Sequence, residues 1–103
     1  MEDITIEELH SRMKKGENIT LIDVREVYEN EEFNIGGSLI PIGTLMQKAP
    51  TLDIPKDTEI VVYCRSGNRS DMGKQILQMN GFENARNLLG GMLAWQDAFL
   101  QNG

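Results

Sequence analysis

The stretch that decides the fold reads EIVVYCRSGNRS and covers residues 59–70. Its first part, residues 59–63, is a continuous run of β-branched and aromatic side chains after one glutamate, which is typical of a strand covered on both faces. The remainder turns polar and contains a glycine and two arginines, which marks a loop. The stretch therefore predicts a central strand over 59–63, then a loop, then a helix that begins at Ser70 or Asp71.

Strand-like and helix-like segments alternate along the rest of the chain. Short apolar runs predict further strands at Ile4 and at residues 19–22, 38–40 and 85–88. Helices are predicted at residues 5–15, 26–32, 43–48 and 70–80, and after Gly90-Gly91. This alternation is typical of an α/β fold, and we predict a single domain over residues 1–103, with three α/β/α layers and a central parallel sheet of about five strands.

Two predicted helices carry apolar residues at helical spacing on one face: Met72, Ile76 and Met79 after the loop, and Met92, Trp95 and Phe99 near the end of the chain. We interpret the second set as core packing, with Trp95 lining the functional cleft as the alternative.

The composition sets further limits. Of 103 residues, 40% are hydrophobic and 25% are charged, an ordinary balance for a folded domain, and the formal net charge is −6. That charge argues against nucleic acid or an anionic membrane as a partner. A single cysteine excludes an internal disulfide and a CxxC redox or zinc site. The N-terminal Met-Glu-Asp-Ile lacks the features of a signal peptide, so we expect a cytoplasmic location. We also expect a monomer without a metal.

The loop after the predicted central strand carries the chemistry. In parallel sheets, ligands bind beyond the carboxyl ends of strands, where Cys64 lies, and the following helix offers unpaired N–H groups and the positive end of its dipole. Ser66 and Gly67 allow the chain to curl so that successive amides point inward, and Arg65 and Arg69 add positive charge. These features favour the thiolate and predict a lowered pKa for Cys64.

We therefore predict that Cys64 is the catalytic residue. The predicted substrate- and anion-binding loop consists of Arg65, Ser66, Gly67, Asn68, Arg69 and Ser70. Arg65 is expected to point outward, towards a substrate or partner, and Arg69 to brace the loop. The alternative is that Cys64 is a small buried hydrophobic residue at a strand end, which fits poorly with two arginines and a glycine in the next five residues.

Three segments resemble one protein family. CRSGNRS at residues 64–70 resembles the active-site loop of single-domain rhodaneses, in which a cysteine begins a six-residue loop that ends in arginine. LIDVRE at 21–26 and LGGMLAW at 89–95 are similar to an early strand end and a late turn and helix of that family, and the segments come in its order. One segment, Asn34-Ile35-Gly36-Gly37, lacks the histidine and the proline that are common there, which concerns the local loop shape.

The resemblance implies a double-displacement sulfur transfer. Cys64 would take the outer sulfur of a donor such as thiosulfate as a persulfide, then pass it to an acceptor such as cyanide, a thiol or a sulfur-relay protein. No cofactor is expected beyond this covalent persulfide, and no general base is needed, because the nucleophile is already ionised. Asp23, Arg25 and Trp95 are possible neighbours of the site; alternatively, Asp23 and Arg25 pair with chain neighbours and fix their turn.

Two other functions compete with sulfur transfer. A phosphatase of this fold has five residues between cysteine and arginine, whereas four intervene here, and the shorter ring suits a sulfur atom on Cys64. A regulatory or binding module of the same fold is the non-enzymatic alternative, but degenerate family members lose the cysteine that this chain keeps.

Two sets of polar residues are interpreted without a role in the chemistry. The acidic residues Glu26, Glu29, Glu31 and Glu32 are expected to form a solvated helix face, because no metal-type spacing accompanies them. His10 lies far from the loop in sequence and is expected to be a solvated surface residue.

Overall fold

A parallel sheet of four strands organises the protein, whose computed structural model describes residues 1–100. The strands are β1 (Thr20–Asp23), β2 (Ser38–Leu39), β3 (Ile60–Tyr63) and β4 (Ala85–Asn87), and their order across the sheet is β2-β1-β3-β4. All neighbouring strands run parallel. Every residue of β3 is buried and the strand lies inside the sheet, which confirms the predicted central strand.

The strand expected at Ile4 is reduced to a single bridge. Ile4 pairs in parallel with Leu88, donates its N–H to the Asn87 carbonyl at 3.0 Å, and accepts from the Leu89 N–H at 3.0 Å. The pairing goes no further because the next residue, Thr5, already caps the first helix with its side chain. Over residues 1–100, the expected sheet of about five strands is therefore four strands and one bridge.

Within residues 1–100, five α-helices flank this sheet: α1 (Ile6–Lys14), α2 (Val27–Glu32), α3 (Ile42–Lys48), α4 (Asn68–Met79) and α5 (Gly91–Phe99). A short 3-10 turn at Ala49–Thr51 extends α3 and was not expected from the sequence. None of the helices in this part of the chain is long and apolar enough to cross a membrane.

The core consists of two apolar layers, one on each side of the sheet. Successive strand residues point to opposite faces, so Ile60 and Val62 pack into one layer, and Val61 and Tyr63 into the other. Residues of α3 and α4 cover the first layer, and residues of α1 and α5 cover the second. This arrangement is the predicted three-layer α/β/α fold.

Helix α4 turns a different face to the sheet from the apolar face seen in the sequence. Met72 and Met79 are 55% and 85% exposed, and the buried residues are Ser70, Gly73 and Leu77. A Cβ on Gly73 would lie 3.2 Å from a β3 side chain, so the helix approaches the sheet closely at that residue. The sequence pattern missed this face because small residues, rather than large apolar ones, form its centre.

His10 is not a solvated surface residue, because α1 packs against α5. The His10 ring stacks on Phe99 with centroids 3.8 Å apart, and it meets the edge of Trp95 at 5.4 Å. Met92 and Trp95 are 1% and 6% exposed, which confirms that this face of α5 packs in the core.

A cluster of ion pairs lies at the end of the sheet where β3 begins. Glu59 accepts two hydrogen bonds from Arg12, at 2.8 and 2.7 Å, and one from Arg86 at 2.6 Å. The Arg12 guanidinium outweighs the opposing effect of burial and, with Arg86, holds the pKa of Glu59 at about 2.

The segment Asn34-Ile35-Gly36-Gly37 forms a turn against the ring of Tyr63. The Gly37 N–H donates to the Tyr63 hydroxyl at 3.2 Å, and Asn34 Oδ1 accepts from the Gly36 N–H at 2.9 Å. A Cβ on Gly37 would lie 2.8 Å from a Tyr63 ring carbon, so the contact requires glycine. The turn is thus held by its own hydrogen bonds without the histidine and the proline.

Candidate active site

Cys64 directly follows β3 and is the first residue of the loop. Its Sγ accepts a hydrogen bond from the Gly67 N–H at 3.1 Å and one from the Ser70 hydroxyl at 3.2 Å. Burial raises the pKa of the Cys64 thiol, whereas hydrogen bonds from the Ser70 hydroxyl and from the amides of Ser70, Gly67 and Ser66 lower it. The hydrogen bonds prevail, so the pKa lies below its ordinary value. Of the amides of residues 65–70 that were predicted to converge on the sulfur, that of Gly67 lies at hydrogen-bond distance from it.

The surroundings of Cys64 combine burial with polar donors. Cys64 is 1% exposed and joins the apolar layer under α3 and α4. The alternative of a small buried cysteine therefore describes its exposure correctly. It does not describe the donors aimed at its sulfur, which an apolar core position would lack.

Helix α5 holds the carbonyl groups of the loop. The Met92 N–H donates to the Cys64 carbonyl and the Leu93 N–H to the Arg65 carbonyl, each at 2.9 Å. Because N–H and C=O point in opposite directions in a trans peptide, carbonyls turned towards α5 leave the following amides free to face the sulfur. A Cβ on Gly91 would lie 2.5 Å from the Cys64 carbonyl oxygen, so this close approach requires glycine.

Helix α4 begins at Asn68, two residues before the Ser70 that the sequence predicted. Gly67 occupies the N-cap position with φ of +113°, a left-handed conformation that glycine adopts at little cost. This conformation turns the chain sharply into the helix, so the first turn of α4 directs its unpaired N–H groups and positive dipole end at Cys64.

Arg69 forms a forked ion pair with Glu29 in α2. Its two terminal nitrogens donate to the two carboxylate oxygens at 2.8 and 2.9 Å. The Arg69 guanidinium holds the pKa of Glu29 at about 2, although burial acts in the opposite direction. The expectation that Glu29 lies on a solvated helix face is therefore wrong, while Glu26, Glu31 and Glu32 are exposed as expected.

Arg65 and Arg25 line a cavity of about 300 Å³ beside the loop, together with Glu29 and Phe33. Arg65 is exposed, as predicted for a residue that points outward. Arg25 is 5% exposed and forms a buried ion pair with Asp23 at 2.9 Å, so the two residues pair within their own turn, which agrees with the alternative that they pair with chain neighbours.

Trp95 lies on the α1 and α5 side of the sheet. It is 6% exposed, and its ring meets the edge of Phe99 with centroids 4.9 Å apart. The structure thus places Trp95 in the core layer rather than against the sulfur.

The comparison with known proteins agrees with this geometry. Residues 5–98 match the rhodanese-like domain family, so the match includes helices α1 to α4, α5 up to residue 98, all four strands of residues 1–100 and the whole cysteine loop. The chain belongs to this family.

Relatives of this rhodanese-like domain include sulfurtransferases of similar length. The chain is 34% identical over 94 residues to a sulfurtransferase of Allochromatium vinosum, covering 90% of this chain and 86% of that protein. It resembles the structure of the human single-domain sulfurtransferase TSTD1 with a TM-score of 0.81 and 25% identity, covering 92% of this chain and 95% of that one. These comparisons support sulfurtransferase activity.

Another relative is longer than this rhodanese-like domain. The chain is 32% identical over 94 residues to a Bacillus subtilis protein named "Putative sulfur carrier protein YrkF". The match covers 90% of this chain but 50% of that protein, so the chain spans about half the length of this relative.

Asn87 is the residue of the rhodanese-like site that the sequence analysis missed. It ends β4, is 5% exposed, donates from Nδ2 to the Gly67 carbonyl at 3.2 Å, and accepts a hydrogen bond from the Ser70 hydroxyl at Oδ1. One signal could have found it: like Cys64, it is a polar residue at the carboxyl end of a predicted strand, where ligands bind in parallel sheets.

Proposed function

We propose that the protein is a sulfurtransferase that carries a sulfane sulfur as a persulfide on Cys64. The observation that carries the proposal is the pair of donors on the Cys64 Sγ, the Gly67 amide at 3.1 Å and the Ser70 hydroxyl at 3.2 Å. Donors in this arrangement stabilise a thiolate, which is the nucleophilic form of cysteine. Membership of a family with named sulfurtransferases supports the same chemistry.

In the loading step, the Cys64 thiolate attacks the outer sulfur of the donor, for which we propose thiosulfate. A bond forms between Sγ and the outer sulfur, the sulfur–sulfur bond of thiosulfate breaks, and its electron pair leaves with sulfite. The product is a persulfide whose negative charge lies on its outer sulfur. No proton moves, so the step needs no general base.

The depth of the Cys64 sulfur fits a donor whose reactive end is a single atom. Cys64 is 1% exposed, so only a narrow group can reach its Sγ. The outer sulfur of thiosulfate is such a group, and we propose that its sulfonate stays outside the loop, near the exposed Arg65. The exposed guanidinium of Arg65 offsets locally the repulsion that a net charge of −6 exerts on an anion.

In the unloading step, an acceptor thiolate attacks the outer sulfur of the persulfide. The new bond joins the acceptor to that sulfur, the bond to Sγ breaks, and its electron pair returns to Cys64 as a thiolate. The donors that stabilise the resting thiolate also stabilise this leaving group. For the cellular acceptor we propose a thiol of a sulfur-relay protein, which the sulfur-carrier name of a relative supports.

Intact-mass measurement after incubation with thiosulfate tests the proposal. We expect one added sulfur atom, its removal by cyanide with formation of thiocyanate, and no addition to the Cys64→Ser variant. Hydrolysis of an aryl phosphate is measured alongside. The proposal is wrong if no sulfur is added, or if the protein hydrolyses the phosphate faster than it transfers sulfur.

A further inference from the structure

Asn87 is held in one orientation beside the reactive loop. Its Nδ2 donates to the carbonyl of Gly67 at 3.2 Å, and because a carbonyl oxygen can only accept, the amide group cannot be flipped. Oδ1 therefore faces Ser70, within hydrogen-bond distance of its hydroxyl. The backbone is also fixed, since the Asn87 N–H donates to Asp3 Oδ1 and its carbonyl accepts from the Ile4 N–H, each at 3.0 Å.

The Ser70 hydroxyl has one proton and two acceptors within reach. Its Oγ lies 3.2 Å from the Cys64 Sγ and at hydrogen-bond distance from Asn87 Oδ1. A hydroxyl donates one hydrogen bond, so it serves the sulfur or the amide but not both. Ser70 and Cys64 are 0% and 1% exposed, so this choice is made inside the protein.

The charge on the sulfur determines which acceptor receives the proton. A thiolate accepts more strongly than a neutral amide oxygen, because hydrogen bonds to charged acceptors are stronger. In a persulfide the charge lies on the outer sulfur, and the inner Sγ becomes a weak acceptor. The amide oxygen of Asn87 is then the better partner.

We propose that Asn87 is a positioning residue for sulfur transfer, which receives the Ser70 hydroxyl when Cys64 carries a sulfur and releases it when Cys64 is a free thiolate. The proposal rests on the persulfide chemistry of the proposed function. During loading, charge leaves Sγ and the hydroxyl turns to Asn87. During unloading, the electron pair of the broken sulfur–sulfur bond returns to Sγ, and the hydroxyl turns back. The proton stays on the Ser70 oxygen throughout.

This arrangement gives Asn87 an effect on Cys64 that a structural brace would not have. If Asn87 holds the Ser70 hydroxyl while Cys64 is an uncharged thiol, ionisation has to break that hydrogen bond. Removal of Asn87 abolishes this cost, and the thiol becomes more acidic. If Asn87 only supports the Gly67 carbonyl, its removal loosens the inward amides, and the thiol becomes less acidic. The two roles predict opposite signs.

Alkylation of Cys64 by iodoacetamide as a function of pH tests the proposal without any sulfur donor. The variants are Asn87→Leu, which keeps the side-chain volume but has no acceptor, Ser70→Ala, and the double variant. We expect Asn87→Leu to lower the midpoint by about one pH unit, the size of one hydrogen bond, and Ser70→Ala to raise it by a similar amount. In the Ser70→Ala background, Asn87→Leu is expected to leave the midpoint unchanged.

All these variants keep the charged groups around the loop, which are Arg25, Glu29, Arg65, Arg69, Asp3 and Asp71. Differences between their midpoints therefore report on the Ser70 hydroxyl. A raised midpoint in Asn87→Leu, or the same shift in both backgrounds, would overturn the proposal. If Asn87→Leu does not fold, Asn87→Ala replaces it with the same expected sign. If neither folds, an unchanged midpoint in Ser70→Ala overturns the proposal, because the hydroxyl would then not reach the sulfur.

Failure of this proposal and failure of the proposed function give different results. A protein that gains no sulfur from thiosulfate but shows the expected midpoints would refute sulfur transfer alone. A protein that gains one sulfur but shows a raised midpoint in Asn87→Leu would refute the role of Asn87 alone.

Discussion

Removal of the Arg69 guanidinium tests how the reactive loop keeps its shape. Arg69 reaches from the first turn of α4 to Glu29 in α2, with hydrogen bonds of 2.8 and 2.9 Å. Arg69→Ala is expected to lower both the stability and the kcat of sulfur transfer, because the loop loses this connection. Arg69→Lys is expected to restore only part of each, since an ammonium group cannot form the two parallel bonds of a guanidinium.

The pKa of Glu29 gives the size of the effect on stability. Hydrogen bonds from Arg69 hold this pKa at about 2, against an ordinary value of 4.5. At about 1.36 kcal/mol for each pKa unit, the pair has a ceiling of roughly 3 kcal/mol. The Arg69 side chain is 36% exposed, so solvent screens the pair. We expect a loss of about 1.5 kcal/mol, or a fall in Tm of roughly 6–12 °C for a domain of this size.

The sign of the pH dependence follows from the lowered pKa. A carboxylate with a lower pKa in the folded state stabilises the protein fully above pH 4.5, and this contribution is lost as the pH falls towards about 2. The difference in Tm between the wild type and Arg69→Ala is therefore expected to be largest near neutral pH and to shrink as Glu29 becomes protonated.

Thermal melts at neutral and acidic pH, combined with steady-state kinetics, measure these effects. Arg65→Ala is the matched control, since Arg65 is exposed and forms no ion pair among residues 1–100, and its Tm should equal that of the wild type. The double variant Arg69→Ala/Glu29→Gln should lose little more than either single variant, because both remove the same pair. A wild-type Tm and kcat in Arg69→Ala would refute the reasoning, and so would losses that simply add.

Three further predictions concern the rest of the molecule. Arg65→Ala is expected to raise the KM for thiosulfate several-fold and to leave kcat nearly unchanged, because an exposed cation binds the ground and transition states alike; a collapse of kcat would contradict this. Gly91→Ala places a Cβ 2.5 Å from the Cys64 carbonyl oxygen and is expected to lower both the Tm and the reactivity of the thiol. Gly43→Ala is the control: a Cβ there meets nothing within 4 Å, and neither quantity is expected to fall. Glu59, whose pKa is held at about 2, stabilises the protein above pH 4.5 and loses this effect towards pH 2. In Glu59→Gln, the Tm is therefore expected to fall less steeply between pH 4.5 and pH 2 than in the wild type; an equally steep fall in both proteins would contradict this.

The features that could be predicted from the sequence depend on signals within a few residues. The apolar run at 59–63 is long enough and uniform enough to indicate a strand covered on both faces. Thr5 marks the start of α1, and Gly90-Gly91 marks the start of α5, because capping and left-handed turns are local requirements. The amides around Cys64 could be predicted for the same reason, since they belong to the loop itself.

The features that could not be predicted depend on residues that meet only in the folded chain. Arg69 and Glu29 lie 40 residues apart, and Ser70 and Asn87 lie 17 residues apart. In the sequence, Glu29 resembles the other glutamates of its helix. Only the packing of α2 near α4 determines which of them meets the arginine. Likewise, the apolar pattern that includes the exposed Met79 does not show that α4 packs on the sheet through Gly73.

The hydrogen bonds from α5 to the loop carbonyls also suggest an order in which the site forms during synthesis. The loop is complete once Ser70 has been added, but the N–H groups that turn its carbonyls away belong to Met92 and Leu93. A nascent chain that has emerged only as far as α4 lacks these two donors, so we expect its loop to be less ordered and its Cys64 thiol to be less acidic than in the folded protein. We therefore expect Cys64 to reach its lowered pKa only after the last helix has docked.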